Sequence, residues 1–193
     1  LESLSYYDGK ERRDRGAIKL QFMFDQYPLE DMYRHNVWGA ALAKRDKDRF
    51  GRWLAISAEN EMQPKPGSRI TLDDKKLDMF GDPVPHVHLE FDAVDRRTLQ
   101  RSEAIGAELL AAVGAGEIEQ SGPPGYYFAA HHMGTCRMSQ DPDKGVVDKD
   151  LRVHGLGNLF VAGSSVFPTS GALQPTLTIA ALSLRLSAHL FPA

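Results

Sequence analysis

The stretch Ala17-Ile18-Lys19-Leu20-Gln21-Phe22-Met23-Phe24 places apolar residues at its even positions, which is the period of a strand with one face buried. Trp53-Leu54-Ala55-Ile56-Ser57-Ala58-Glu59-Asn60-Glu61 reads as a second strand. Turn chemistry at Pro64-Lys65-Pro66-Gly67 leads into Ser68-Arg69-Ile70-Thr71-Leu72, so these two strands are expected to pair as a hairpin. Asp73-Asp74-Lys75-Lys76 reads as a solvated loop. Pro85-His86-Val87-His88-Leu89-Glu90-Phe91 alternates again and runs into a helix. That helix has Asp95 as its N-cap, apolar residues at Leu99, Ile105, Leu109 and Leu110, and Gly114 as its stop. Antiparallel strands with a helix on one side predict an α+β layer.

The second half has a different texture. Gly122-Pro123-Pro124-Gly125 marks a loop before Tyr126-Tyr127-Phe128. Ala130-His131-His132-Met133-Gly134-Thr135-Cys136-Arg137-Met138 is polar and sulfur-rich without a clean period. Asn158-Leu159-Phe160-Val161-Ala162-Gly163 reads as a short buried parallel strand. Beyond Gly163-Ser164-Ser165 and a loop, residues from Pro175 to Leu186 are apolar on nearly every face, which predicts a buried helix. Pro175 suits the first helical position, where its missing N–H costs nothing.

Composition bounds the function. The chain has 193 residues, 42% hydrophobic and 25% charged, with a formal net charge of -3, so it has ample material for a packed core. Its acids and bases are interleaved rather than massed, which argues against a nucleic-acid partner. The single cysteine, Cys136, excludes an internal disulfide framework and a multi-cysteine zinc site. Leu1 is not an initiator methionine; the expectation is a fragment of a larger chain, so compartment (bacterial cytoplasm or periplasm) is left unknown.

Several residues could carry chemistry. His86 and His88 share one strand face and could ligate a metal, but no third ligand is signalled nearby, so an exposed sheet face is the preferred reading and no metal site is assigned. His131 and His132 are adjacent and would point opposite ways on a strand, so at most one faces any site. A Cys–His dyad at Cys136 lacks an indicated third partner. Arg137 could meet a substrate carboxylate or support its loop through backbone carbonyls. The helix starting at Pro175 aims its first N–H groups at the preceding loop, a place for an electron-rich ligand group; an ordinary side-chain-satisfied helix start is the alternative.

One ordered set of motifs goes further. His131-His132-Met133-Gly134-Thr135-Cys136-Arg137-Met138, Gly145-Val146-Val147-Asp148, Asn158 to Gly163, Ser165-Val166-Phe167-Pro168-Thr169 and Pro175-Thr176-Leu177-Thr178-Ile179-Ala180-Ala181-Leu182 follow in sequence. Together they resemble the carboxy-terminal region of the glucose–methanol–choline (GMC) oxidoreductases, FAD-dependent alcohol and sugar oxidases and dehydrogenases. Gly81-Asp82-Pro83-Val84-Pro85 is similar to the substrate domain of bacterial sugar and gluconate dehydrogenase members.

The resemblance implies an α+β substrate domain over residues 1–122. Residues 123–193 would then hold the catalytic histidine segment and the closing strand and helix of an α/β FAD-binding domain. It implies His131 as the base that takes a substrate hydroxyl proton, with Gln174 bonding the same oxygen. Pro175 and Thr176 would lie against the flavin, and Gly163, Ser164 and Ser165 along its ribityl and phosphate region. The implied partners are a sugar, sugar acid or polyol, the amino-terminal FAD-binding region of the same chain and an electron-acceptor subunit. Choline or a simple alcohol is the alternative substrate. Gln174 stands where the family has Asn or His, and Ser139 where many members have Gly. No G-x-G-x-x-G fingerprint is present. The altered Gln174 leaves a second reading open, a non-catalytic carbohydrate-binding or assembly paralogue.

Overall fold

The structure, a computed structural model, describes residues 2–7, 10, 14–23, 36–49, 51–119 and 131–192. The expected boundary at 122/123, the loop and aromatic run at 122–128, and Phe24 lie outside the described residues.

The alternating stretch does form a strand over Ile18–Met23. β1 (Glu2–Ser3), β2 (Ile18–Met23) and β3 (Ala55–Asn60) make an antiparallel sheet in the order β1-β2-β3. Ile18 and Leu20 of β2 are fully buried and pack with Ile105, surrounded by Tyr6, Phe22, Ile56, Ala58 and Leu109. The register sets Ile18 opposite Asn60, Lys19 opposite Glu59 and Phe22 opposite Ile56.

The expected hairpin between 53–61 and 68–72 is not formed. β3 pairs with β2, while β4 (Arg69–Leu77) pairs with β5 (Pro83–His88) in a separate antiparallel sheet. The reason lies in the turn at 78–82. The Asp78 carboxylate accepts N–H bonds from Phe80 (2.8 Å) and Asp82 (3.0 Å), and Gly81 takes the left-handed φ of +88° that such a turn requires. With that closure β4 extends through Asp73-Asp74-Lys75-Lys76, which is strand, exposed from Asp74 on, with a register break between Leu72 and Leu77 rather than a loop. His86 and His88 do share a face, their ring centres 4.2 Å apart, and His88 Nε2 lies 3.0 Å from the Thr71 hydroxyl.

α1 (Gly39–Arg49) is followed, after the two β4–β5 strands, by α2 (Ala93–Ala112). α2 is capped by Asp92, not Asp95: Asp92 accepts from the N–H groups of Val94 and Asp95, and Asp95 reaches back to the Asp92 N–H. This reciprocal box uses both acids, and the cap position falls to the one in extended backbone. The buried Asp95 also accepts from Gln63 N–H (3.1 Å) and pairs with the Lys65 ammonium, tying the helix start to the chain leaving β3. The C-terminal stop at Gly114 is as expected, with φ +82°. Thr98 bonds Gly16 N–H (2.7 Å) and Ser102 bonds Asn60 (3.0 Å), locking α2 onto the sheet.

A second core gathers Val147, Leu151 and Val166 with Met138, Val153, Val161, Phe167, Leu182 and Leu186. Residues 158–163 do not form the expected buried parallel strand; they contribute one antiparallel bridge, Phe160 to Arg152, and several are exposed. The final helix α3 (Thr176–Leu190) begins one residue after Pro175, which is its N-cap, and none of its residues is buried. Leu182 and Leu186 pack on the second core while Leu177, Leu184 and Phe191 are exposed, because the helix carries more apolar surface than this chain covers. No helix among the described residues is long and apolar enough to cross a membrane.

Ile105 carries the contact between α2 and β2. Ile105→Ala is expected to cost about 2–5 kcal/mol, and Ile105→Val about 1 kcal/mol, through lost burial and an unfilled cavity. The shift in denaturant midpoint of the full-length protein measures both; equal midpoints for native and Ile105→Ala proteins would contradict this packing.

Candidate active site

The polar segment at 131–138 acquires its shape from the turn at 163–166. Gly134, Cys136 and Met138 donate backbone N–H bonds to the carbonyls of Ser164 (3.2 Å), Ser165 (2.8 Å) and Val166 (2.8 Å). The Ser164 hydroxyl donates back to the His132 carbonyl at 2.7 Å. Two glycines permit this approach. Gly134 has φ +84° with the Phe167 carbonyl only 3.3 Å from where a Cβ would stand, and Gly163 has φ +118°, ψ -177°, a region closed to other residues. Nothing lies within 4 Å of the Cβ position at Gly163, so its backbone faces open space.

Below this segment a turn holds the second core in place. Leu151 is fully buried with φ +67°, an unfavourable conformation for a branched side chain. Asp148 stabilises it by accepting from the N–H groups of Asp150 (2.9 Å) and Arg152 (3.0 Å) and pairing with the Arg152 guanidinium (3.2 Å). Burial pulls the Asp148 carboxyl upward, but the two N–H bonds and the guanidinium outweigh it and hold it below the usual value. Arg137 supports its own loop: its Nε donates to the Lys144 carbonyl at 2.6 Å. Ser139, accepting from Asp141 N–H and meeting His154 Nε2 through its carbonyl at 3.0 Å, fits beside Gly145, where a Cβ would fall 2.5 Å from that of Ser139.

His131 reaches across to the first sheet. Its Nδ1 is 3.8 Å from Glu59 Oε2 on β3, and the ring is 28% exposed. The other oxygen of Glu59 lies 2.9 Å from the ammonium of Lys19, a fully buried side chain on β2 that also stands 3.6 Å from Glu2. A second tie runs from the loop before α3. The Ser170 hydroxyl donates to the Met62 carbonyl at 3.0 Å, and Gly171 sits so close to the Tyr7 hydroxyl that a Cβ would be 2.4 Å from it. At the start of α3, Gln174 and Thr176 are exposed and Pro175 half-buried. Among the described residues no side chain caps this helix, so its first N–H groups suit a bound group.

A backbone ladder thus ties the segment that follows His131 to Ser164 and Ser165, the residues next to Gly163. Gln174, Pro175 and Thr176 stand together at the α3 terminus, and no hydrogen bond links Gln174 to the histidine segment. Cys136 is a free thiol whose backbone belongs to the ladder. Among the described residues no group of three or more His, Cys, Asp or Glu is placed to hold a metal ion. Lys19 and Glu59 escaped the sequence reading. Their opposite charges sit directly across β2 and β3, a signal visible only with the correct strand pairing.

Residues 64–183 match the sequence model of the GMC oxidoreductases. The chain belongs to the GMC oxidoreductase family. It is 34% identical to the fructose dehydrogenase large subunit of Gluconobacter japonicus over 76% of this chain and 27% of that protein. It is 34% identical to 2-methyl-1,2-propanediol dehydrogenase of Mycolicibacterium austroafricanum over 77% of this chain and 27% of that one. With the C-glycoside 3-oxidase of Arthrobacter globiformis the identity is 35% over 61% of this chain and 23% of that protein. The chain therefore spans about a quarter of the length of these GMC relatives. The small antiparallel sheets and three α-helices among its described residues are part of a GMC fold.

The depressed Asp148 carboxyl predicts an acid dependence. A group whose folded value lies below its unfolded one, near 3.8, contributes stability that is present above that pH and lost as pH falls through the lower folded value. Asp148→Asn is expected to be less stable than the native protein at neutral pH, with the difference closing below about pH 4. Denaturant midpoints of full-length native and variant proteins across that range check it; a gap that does not narrow would contradict the assignment.

Proposed function

We propose that the protein containing this chain is an FAD-dependent enzyme that oxidises a CH–OH group of a sugar, sugar acid or polyol, with His131 as the base. The observation that carries this reading is the half-exposed His131 imidazole on a segment bonded into the Gly163–Val166 turn, inside the family match. The names of the GMC relatives, a fructose dehydrogenase, a diol dehydrogenase and a glycoside oxidase, support the donor class.

The residues present fit a flavin. The glycine turn at 163 faces open space, the α3 terminus has uncapped N–H donors, and α3 keeps an uncovered apolar face. In this reading Gly163, Ser164 and Ser165 hold the ribityl and phosphate region, and Pro175 and Thr176 the ring. When bound, FAD supplies the acceptor for the carbinol hydride. His131 takes the hydroxyl proton through its ring nitrogen as the alcohol becomes a carbonyl compound, and Gln174 donates its amide N–H to the same oxygen. The positive end of α3 favours negative charge nearby. Residues 1–122 serve as the substrate domain and 123–193 as the catalytic and cofactor-closing part. The amino-terminal FAD-binding region is the chain's first partner, and the relative named as a large subunit supports an acceptor subunit as a further one.

Two substitutions in the full-length protein test this reading. Replacing His131 by Ala should slow anaerobic flavin reduction by sugars or polyols by about 10²–10⁴-fold while flavin content is kept; an unchanged rate would sink the assignment. Gln174→Asn should leave turnover similar or higher, since it shortens the arm by one methylene and keeps the amide. A large loss would show that Gln174 is fitted to its own substrate.

A further inference from the structure

Lys19, Glu59 and His131 form a continuous line from the interior of the first sheet to the histidine segment. Lys19 is fully buried, yet it lies on the strand that also buries Ile18 and Leu20, so both faces of β2 are covered. Its ammonium approaches Glu59 Oε1 at 2.9 Å, opposite it in the register. Among the described residues Glu59 Oε2 is buried without a hydrogen-bond partner, and His131 Nδ1 stands 3.8 Å from it. A buried carboxylate oxygen without a partner is costly, and one aimed at an imidazole nitrogen is a built acceptor. Hydrogen bonds at catalytic groups are often long before substrate arrives and tighten in the reacting complex.

We propose that Glu59, anchored by the buried Lys19, is a positioning residue that engages Nδ1–H of His131 and leaves Nε2 as the nitrogen facing the substrate hydroxyl. This rests on the reading of His131 as the base. A neutral imidazole carries one N–H and one lone pair. With the N–H held by Glu59, the lone pair is on Nε2, and the hydroxyl proton moves to that atom. Lys19 has a defined part: its positive charge sits 2.9 Å from Oε1, which leaves Oε2 as the oxygen toward His131.

That division of labour gives a specific test in the full-length flavin-containing protein. In Glu59→Gln the amide oxygen is drawn to Lys19, so the amide NH₂ turns toward Nδ1 and imposes the wrong tautomer. The rate of anaerobic flavin reduction should fall about 100-fold, as for a misplaced catalytic group, with substrate half-saturation unchanged. Adding Lys19→Met frees the amide to present its oxygen to Nδ1, so the double variant should be faster than Glu59→Gln alone. Lys19→Met with Glu59→Leu removes both charges and the acceptor, and should stay slow. If Glu59→Gln does not retain flavin because Lys19 keeps only the more distant, exposed Glu2 as counter-charge, the comparison of the two doubles that remove both Lys19 and Glu59 carries the test. In a His131→Ala background Glu59→Gln should cost nothing further. Native rates in Glu59→Gln, equal rates in the two doubles, or an additive loss with His131→Ala would each overturn the proposal. A His131→Ala variant that reduces its flavin normally would instead overturn the base assignment on which it rests.

Discussion

The register between β2 and β3 is the constraint on which the rest depends. It places the buried ammonium of Lys19 directly opposite Glu59. An ammonium removed from water without a counter-charge costs several kcal/mol, so pairings that separate these two are strongly disfavoured. A slip of one residue would also turn Ile18 and Leu20 away from Ile105 and bring Lys19 onto the apolar face. Charge and hydrophobic burial therefore specify the same alignment from opposite faces of one strand. That alignment fixes Glu59 at the point where the histidine segment arrives.

The second half is organised by backbone rather than by strands. Its ladder from 134–138 to 164–166 is short, and glycines serve it in two ways: Gly145 lets chain segments approach more closely than a side chain would allow, while Gly134 and Gly163 take up positive φ. Leu151 shows the same economy: a strained backbone at one residue places a side chain at the centre of the second core, where it touches Val147 and Val166.

Much of this was legible in the residues. The period-2 stretch at 17–24, the α2 helix with its Gly114 stop, and the order of the motifs from His131 to Leu182 carried the strand, the helix and the family. Pairing was not legible, because β3 finds its partner some forty residues earlier, whereas the β4–β5 turn is local but hidden in Asp78-Met79-Phe80-Gly81-Asp82. The helix cap was misplaced by three residues since Asp92 and Asp95 are both capable, and only their reciprocal bonding separates the roles. The apolar run of α3 reads as buried because periodicity reports what a helix could cover, not what this chain supplies. Lys19 gave no warning of its burial: an odd-numbered polar residue in an alternating strand looks solvent-facing until the neighbouring elements are known.

The ties before α3 bear on how the molecule assembles. Ser170 bonds Met62 across 108 positions of sequence, and Gly171 seats against Tyr7. Contacts so distant along the chain require closing very large loops, which local hairpins and helices do not. The compact turns around Leu151 can form from nearer neighbours. Seating α2 on the first sheet already spans 82 positions between Gly16 and Thr98, and closure cost grows only with the logarithm of loop length, so the junction at Ser170 and the first core draw on nearly the same closure entropy.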